Sequence, residues 1–353
     1  MKRKLLALIL ASAMMIAMTA CGGEESPPAQ TTPTTTVVQT TPTTVPTSPA
    51  DPTPVGERNM LTGRYDMAQS DLTRPVGIMV ANNDFLQGGK QVGIGSADMW
   101  VESETEGGIT RIMAVFANTA RVPSAIGPVR SARSPFFHIV EEFGFAYCHA
   151  GGSPPALANI AASNIADLDV NNGDASYSWR DNEFPYDYEY RLRTSGDRLT
   201  KYLTDKGYKT QAVKTVPWTF GAQTGASATT VSVKMSGAQT IGFEYDAAAG
   251  VYYKTNGSSK TRHVDSSGTA ITPTSVLVMY SDKVAESDET FDYTLFSGKG
   301  YVFSAGVMRR FNWTRDANGF TMTEEDGTQL TLAEGKVYLC LASTGVESAL
   351  SYQ

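Results

Sequence analysis

The sequence predicts an α+β protein, in which an N-terminal mixed α/β domain is followed by a small all-β C-terminal domain. The first domain is indicated by strand-like runs that lead into Ser-Pro steps, each of which opens a helix with an apolar face. The second is indicated by short alternating runs separated by turn dipeptides such as Asn318-Gly319.

The 353 residues carry a formal net charge of −7 and are 41% hydrophobic. This balance is ordinary for a soluble globular protein, and it argues against a nucleic-acid binder, which needs a basic surface.

The first twenty residues indicate export. Lys2, Arg3 and Lys4 form a basic start, and the apolar run from Leu5 to Met18 is too short to span a membrane comfortably. The next residues complete Met18-Thr19-Ala20-Cys21, which resembles a lipobox. We therefore expect residues 1–20 to be a lipoprotein signal peptide and Cys21 to carry a diacylglyceryl group, whose two acyl chains give stable anchoring. A plain signal peptide with an incidental cysteine is the alternative.

A Thr- and Pro-rich stretch follows, and we expect residues 21–57 to be a disordered tether. From Pro27 to Pro54 the chain is almost entirely Pro, Thr, Val, Gln and Ser, which offer too little apolar mass to bury. Signal and tether together predict a protein anchored to the outer face of the cytoplasmic membrane, or to a periplasmic membrane surface.

The N-terminal domain, residues 58–211, begins with a predicted buried strand that ends at the polar Asn82. Two further strand-like runs flank Gly107-Gly108, and two glycines favour a type I′ hairpin turn because both turn positions need a positive φ. With a two-residue loop, Glu104 lies directly opposite Arg111. That pair is either a cross-strand ion pair worth under about 1 kcal/mol or part of a charged site.

Two junctions in this domain predict an anion site. Ser134-Pro135 is expected to cap a helix, with Arg130 and Arg133 in the loop before it, where the helix dipole disfavours cations unless an anion is bound. Gly151-Gly152-Ser153-Pro154 repeats the pattern after a strand that ends near His149, a layout in which backbone N–H groups bind anions. Since both helices follow strands, their N-termini should open on one edge of a parallel sheet.

The cation composition supports this site, since residues 58–200 contain eleven Arg and a single Lys. Arg offers a rigid fork for phosphate or carboxylate, although pairing with local acidic residues is the alternative. The predicted ligand-binding residues are Asn82, Glu104, Arg111, Arg130, Arg133, His149 and Ser153. A core histidine and a helix cap are the competing interpretations of His149 and Ser153. No residue is assigned a catalytic role, and the sequence contains no metal or nucleotide motif that supports a metal or cofactor.

The segment from Asp181 to Thr194 is aromatic and carries several Arg. It is either the wall of a glycan or ligand cleft or a packing seam of the domain.

The C-terminal domain, residues 228–343, contains no set of residues typical of a catalytic site. Its Cys340 and the N-terminal Cys148 are expected to be buried thiols, although export leaves a disulfide between them open.

Several stretches resemble the YerB-like lipoprotein family, which pairs two domains of unknown function. They fall within roughly residues 70–342 and are Arg74-Pro75-Val76, Ser96-Ala97-Asp98, Glu106 to Arg111, Ile126 to Arg133, His149 to Pro154, Ser297 to Phe303, and Trp313. The resemblance implies an extracytoplasmic lipoprotein with a mixed α/β domain followed by a β domain, and it implies no established reaction. The chain departs from the family at Ala81, where Asp is usual, and at Tyr190-Arg191, where a His-Asn pair is usual. If those positions carry chemistry, this chain is a binder even where its relatives are enzymes.

Three functions fit the sequence, and we predict the first. It is a lipid-anchored binding protein whose Arg residues hold an anionic envelope ligand, either wall glycan, a phosphate polymer or a polyprenyl phosphate. The second is an envelope hydrolase or phosphotransferase, in which the Arg residues stabilise phosphoryl charge and His149 or a carboxylate carries the proton. The third is a structural or partner-docking lipoprotein, in which the Arg residues form only ion pairs.

Overall fold

The computed structural model describes residues 56–353, apart from Leu72, Thr210, Ala212, Val213, Ser258 and Asp288. The predicted signal peptide, the lipidated Cys21 and residues 21–55 of the tether therefore lie outside the described residues. The described residues belong to one compact unit.

The first half of the described chain contains the three α-helices and nine strands. The helices are α1 (Ser134–Phe143), α2 (Pro154–Ala162) and α3 (Gly196–Asp205). The strands are β1 (Glu57–Arg58), β2 (Tyr65–Met67), β3 (Val76–Ala81), β4 (Met99–Glu104), β5 (Thr110–Phe116), β6 (Ala146–His149), β7 (Ala166–Asp169), β8 (Trp179–Arg180) and β9 (Leu192–Arg193).

The second half of the described chain contributes only strands and one terminal 3₁₀ helix, Thr344–Ala349. The strands are β10 (Thr219–Phe220), β11 (Ala226–Ser227), β12 (Thr230–Lys234), β13 (Thr240–Asp246), β14 (Val251–Asn256), β15 (Thr261–Arg262), β16 (Ser275–Ser281), β17 (Lys283–Ala285), β18 (Phe291–Tyr293), β19 (Ser297–Ser304), β20 (Val307–Asp316), β21 (Gly319–Glu324), β22 (Thr331–Leu332), β23 (Val337–Ser343) and β24 (Ser351–Tyr352). The protein is thus mostly β with a few helices, in keeping with the α+β class.

Strands from both halves form one central sheet of eleven strands. Its order is β11-β20-β19-β16-β23-β4-β5-β3-β6-β7, with β21 paired to β20. The two halves meet where β23 runs parallel to β4, with Leu339 opposite Val101. The two predicted segments, 58–211 and 228–343, therefore share a sheet, and the boundary between them stays a prediction.

Both faces of the central sheet are covered. On one face, α1 and α2 share a core with strand residues of both halves, such as Met99 and Leu339. The other face packs against α3 and the five-stranded sheet β15-β14-β13-β12-β24. Every residue of β3, β4, β5 and β16 is buried, as expected for strands that are covered on both sides. Cys148 on β6 and Cys340 on β23 are free and buried.

The sequence predicts that a serine caps α1 and that another caps α2, and the structure confirms this for α2 only. Ser153 caps α2, because its hydroxyl accepts a hydrogen bond from the backbone N–H of Ala156. The predicted cap at Ser134 is wrong. Arg133 occupies the cap position without a side-chain hydrogen bond, and Ser134 is the first helical residue.

The hairpin between β4 and β5 is longer than the sequence suggested. Thr105 donates its backbone N–H to the carbonyl of Ile109 at 2.7 Å, which closes a loop that holds Glu106 as well as both glycines. Gly107 and Gly108 do have positive φ values, 70° and 74°. The register places Glu104 opposite Thr110 rather than Arg111, so the predicted pairing of Glu104 with Arg111 is wrong.

Candidate functional site

The predicted arginines come together at the carboxyl ends of two parallel strands, β3 and β6. Arg111 lies on β5, and Arg130 and Arg133 lie in the loop that precedes α1. That loop is bound to both strand ends, since Arg130 donates its backbone N–H to Met79 and accepts one from Ala150, at 3.0 and 2.9 Å. Ligands of open α/β sheets bind at such strand ends. We call Arg111, Arg130 and Arg133 the arginine cluster.

Glu106, from the hairpin loop, is the main internal partner of the arginine cluster. Arg133 binds it through two nitrogens, with Nε 2.7 Å from Oε2 and Nη2 in contact with Oε1. Arg111 places Nη2 3.5 Å from the same Oε1 and donates Nη1 to the carbonyl of Ser131 at 2.8 Å. One carboxylate is therefore shared by two guanidinium groups.

Arg130 stands at the outer side of the cluster. Its Nη1 lies 3.4 Å from Glu189 Oε2, and its guanidinium carbon lies 5.0 Å from the ring centre of Tyr190. The Glu189 side chain is 55% exposed, so water screens its charge. Arg130 is therefore the member of the arginine cluster whose charge is least neutralised by carboxylates of the protein.

The pKa values of Arg111 and Glu106 reflect crowding of positive charge. Burial and the charge of Arg133 lower the pKa of Arg111 to about 10, with Arg130 adding to the decrease and Glu106 opposing it. Burial raises the pKa of Glu106, but the hydrogen bond from Arg133 and the charges of Arg111 and Arg133 outweigh it and hold that pKa at about 2. Two cations thus hold one firmly ionised carboxylate, and the third, Arg130, adds positive charge beside Arg111.

The anion expected at the start of α1 is provided by the protein itself. Ser134, in the first turn, donates its hydroxyl to Glu286, which follows β17 in the other half of the chain. Glu106 lies nearby on the Arg133 side. These two carboxylates offset the positive end of the helix and the cations beside it.

At the second predicted anion site, the loop from Gly151 to Ser153 before α2, backbone N–H groups are likewise bound by protein groups. Gly151 donates its backbone N–H to Asp169 Oδ1 at 2.9 Å, and Ser153 donates its backbone N–H to Ala132 at 3.3 Å. His149 is fully buried, with Nδ1 2.9 Å from the Gly151 carbonyl and Nε2 2.7 Å from Asp167 Oδ1. These contacts orient the loop, and ligand binding by His149 and Ser153 stays a prediction.

The other two predicted ligand-binding residues lie in separate polar contacts. Asn82 is buried and donates Nδ2 to Glu102 at 2.9 Å and to Thr110 at 2.8 Å. Glu104 binds Lys283 from β17. The structure therefore brings together the three arginines and Glu106, but not Glu104.

A buried polar network, which sequence reasoning missed, joins Asn82 to the second half of the chain. Glu102 accepts hydrogen bonds from Asn82, Thr110 and Tyr338, and its Oε2 lies 3.7 Å from Lys254 Nζ. Lys254 and Glu102 are both fully buried. The partners lie far apart in the chain, so no local pattern could have revealed the network.

His263 extends this network. Lys254 Nζ lies 3.1 Å from Nδ1 of His263, and since an ammonium can only donate, Nδ1 accepts and Nε2 donates to Gln91. Burial and the charge of Lys254 lower the pKa of His263 well below its usual value. His263 is therefore neutral, and the network has a fixed direction of hydrogen bonding.

The aromatic segment lies beside Arg130. Tyr190 meets Phe85 edge to face at 5.2 Å between ring centres, and Phe85 lies 4.9 Å from Tyr186. Lys90 Nζ lies 4.9 Å from the centre of the Tyr186 ring. The segment thus forms a surface of aromatic rings and cations next to the arginine cluster.

Two classes of feature are absent from the part of the chain that the structure describes. No three or more His, Cys, Asp or Glu side chains there are grouped so that they could hold a metal ion. None of the helices formed by those residues has the length and apolarity needed to cross a membrane.

Comparisons with known proteins identify both halves of the chain. Residues 61–209 match the N-terminal domain, and residues 231–339 the C-terminal domain, of a family described as protein of unknown function (DUF3048). A Bacillus subtilis (strain 168) protein named "Putative lipoprotein YerB" is 29% identical over 290 residues, which cover 79% of this chain and 84% of the relative. The crystal structure of YerB protein from Bacillus subtilis superposes with a TM-score of 0.71 at 26% identity, covering 84% of this chain and 99% of that chain. The chain therefore belongs to the YerB-like family, with the N-terminal and C-terminal DUF3048 domains in one polypeptide.

Proposed function

We propose that this protein is an exported, lipid-anchored binding protein of the cell envelope, whose arginine cluster holds an anionic group of an envelope ligand. The ligand is a glycan, a phosphate polymer or a polyprenyl phosphate. Export and anchoring are supported by the signal-like start, by Cys21 in a lipobox-like context and by a relative whose name describes a lipoprotein.

The main support for the anion site is the excess of positive over negative charge in the arginine cluster. Among the ion pairs of the described residues, Arg111 and Arg133 share one carboxylate, that of Glu106, while Arg130 pairs with Glu189, which is mostly exposed. Guanidinium groups recognise phosphate and carboxylate through paired hydrogen bonds, and close cations lower the cost of bringing in another anion.

The hydrolase or phosphotransferase alternative needs a proton carrier that faces the ligand. The candidate carrier, His149, has no exposed surface, and both its ring nitrogens face protein oxygens. These contacts argue against His149 as the proton carrier, while a carboxylate in that role stays a prediction.

Titration calorimetry of the full chain in detergent with inorganic phosphate tests the proposal. We expect saturable binding that weakens at least fivefold in Arg130→Gln. Arg310→Gln is the matched control, because Arg310 also lies over a tyrosine ring, Tyr301, at 5.7 Å. Absence of phosphate binding, or equal weakening by both substitutions, would overturn the anion site.

A further inference from the structure

The surface next to Arg130 carries three aromatic rings, of which the central one, Phe85, contacts the other two. We call Phe85, Tyr186 and Tyr190 the aromatic patch, in which neighbouring ring centres lie 4.9 and 5.2 Å apart. Phe85 is 39% exposed, although a large apolar side chain is normally buried. Contiguous exposed aromatic surface with a polar rim is typical of an interaction site.

The aromatic patch is joined to the anion site by direct contact. The guanidinium of Arg130 lies 5.0 Å from the Tyr190 ring, and the Tyr190 ring touches Phe85. A ligand with an anionic group on Arg130 therefore has apolar ring surface within its immediate reach. Lys90, which lies over Tyr186, extends the positive charge along the same patch.

A polar cavity of about 580 Å³ has in its wall Asp84, the residue that precedes Phe85 in the chain. The other described residues that line it are Gln87, Gly88, Ala238, Gln239, Thr240, Asn256, Gly257, Ser259 and Thr261. Amides and hydroxyls dominate this lining, and it includes neither Lys nor Arg. Asp84 Oδ1 accepts a hydrogen bond from Gln239 Nε2 at 2.9 Å, which ties the two walls together. Such a lining suits a neutral ligand rich in hydroxyl groups rather than an anion.

We propose that the arginine cluster, the aromatic patch and the polar cavity form one continuous track that binds an anionic glycan. The acidic group lies on the arginine cluster, a sugar ring stacks on the aromatic patch, and hydroxyl groups of a following sugar enter the polar cavity. This inference rests on the proposed function, because it uses the same anion site and specifies its ligand class. An acidic peptide satisfies the arginines but leaves the hydroxyl-binding cavity unused.

Three probes, each titrated into the full chain, distinguish recognition of the sugar from recognition of negative charge. They are oligogalacturonate, its neutral methyl ester and oligoglutamate of matched length. We expect oligogalacturonate to bind at least tenfold more tightly than either of the others. Equal binding of oligoglutamate would favour an acidic peptide and overturn the glycan track, and equal binding of the methyl ester would overturn the anionic end of the track.

The contribution of the aromatic patch is tested with Phe85→Ala. We expect at least a fivefold loss of oligogalacturonate affinity with unchanged binding of inorganic phosphate, and the retained phosphate binding shows that the variant is folded. Phe296→Ala is the matched control, because Phe296 is also exposed, at 75%, and lies outside the track. If phosphate binds but Phe85→Ala leaves oligogalacturonate binding intact, the glycan track is overturned while the anion site stands. If neither probe binds, the proposed function itself falls.

Discussion

Glu102 of β4 and Lys254 of β14 form an ion pair in which neither side chain has any exposed surface, with 3.7 Å between Oε2 and Nζ. One partner comes from each half of the chain. A buried ion pair contributes little net stability, but removing one partner leaves an uncompensated charge in a medium that solvates it poorly.

Lys254→Met is therefore expected to lower the free energy of unfolding by about 3 to 5 kcal/mol. Adding Glu102→Gln to the same chain should recover a large part of that loss, since it removes the stranded charge. Urea unfolding measures both variants. Lys299→Met, at an exposed lysine, is the control and should change stability by no more than about 0.5 kcal/mol. Equal losses in Lys254→Met and in the double variant would contradict the role of the pair.

His263 predicts an acid-sensitive fold. Its pKa in the folded protein lies well below the ordinary value of 6.5, so the unfolded chain takes up a proton more readily than the folded one. The stabilising effect of neutral His263 is fully present above pH 6.5 and decreases as the pH falls below it, by up to about 1.4 kcal/mol per pH unit. Urea unfolding at pH 7.5, 6.5 and 5.5 should show this decrease. His263→Gln should have a shallower dependence over the same range, and an unchanged slope would exclude His263 as its source.

Glu106 predicts competition within the anion site. It occupies the guanidinium groups of Arg111 and Arg133 that an incoming anion needs. Glu106→Gln should therefore raise the affinity for inorganic phosphate several-fold, measured by calorimetry. Glu325→Gln, at an exposed carboxylate, makes the same change in net charge and should leave that affinity within a factor of two. A phosphate affinity that falls in Glu106→Gln would show that the carboxylate positions the arginines rather than competing for them.

The cap at Ser153 is expected to stabilise the fold, and another side chain that can accept the same hydrogen bond should restore the stability lost on its removal. Ser153→Ala removes the acceptor for the Ala156 N–H and should cost about 1 kcal/mol of unfolding free energy. Ser153→Asp keeps an acceptor in the same place and should restore most of that loss. Thermal and urea unfolding of the two variants give the comparison, and equal destabilisation by both would argue against the cap.

Local features were the predictable part of this fold. The buried run that became β3 and the cap at Ser153 depend on neighbouring residues, whose side-chain chemistry is visible in the sequence. The hairpin was misjudged because Gly107-Gly108 is compatible with a two-residue turn, whereas the bond from Thr105 to Ile109 makes a longer one. That shift moved Glu106, and not Glu104, to Arg111.

The candidate site was predictable only in part. The bias toward Arg and the Ser-Pro junctions indicated Arg111, Arg130 and Arg133, since they are local in the sequence. The carboxylate of Glu286 at α1 and the lysine paired with Glu102 come from the other half of the chain. Contacts across such separations follow from the pairing of β23 with β4, which leaves no trace in local periodicity.

The pairing of β23 with β4 also sets the order in which the protein can be completed. The strand between the two halves of the central sheet, β23, follows both β4 and β16 in the chain, so it is synthesised after the two strands that it joins. Until it arrives, β4 and β16 both present an unpaired edge that is buried in the finished fold. The first half of the chain therefore remains an incomplete sheet until β23 has been made. A stop codon before Val337 would leave that state permanent.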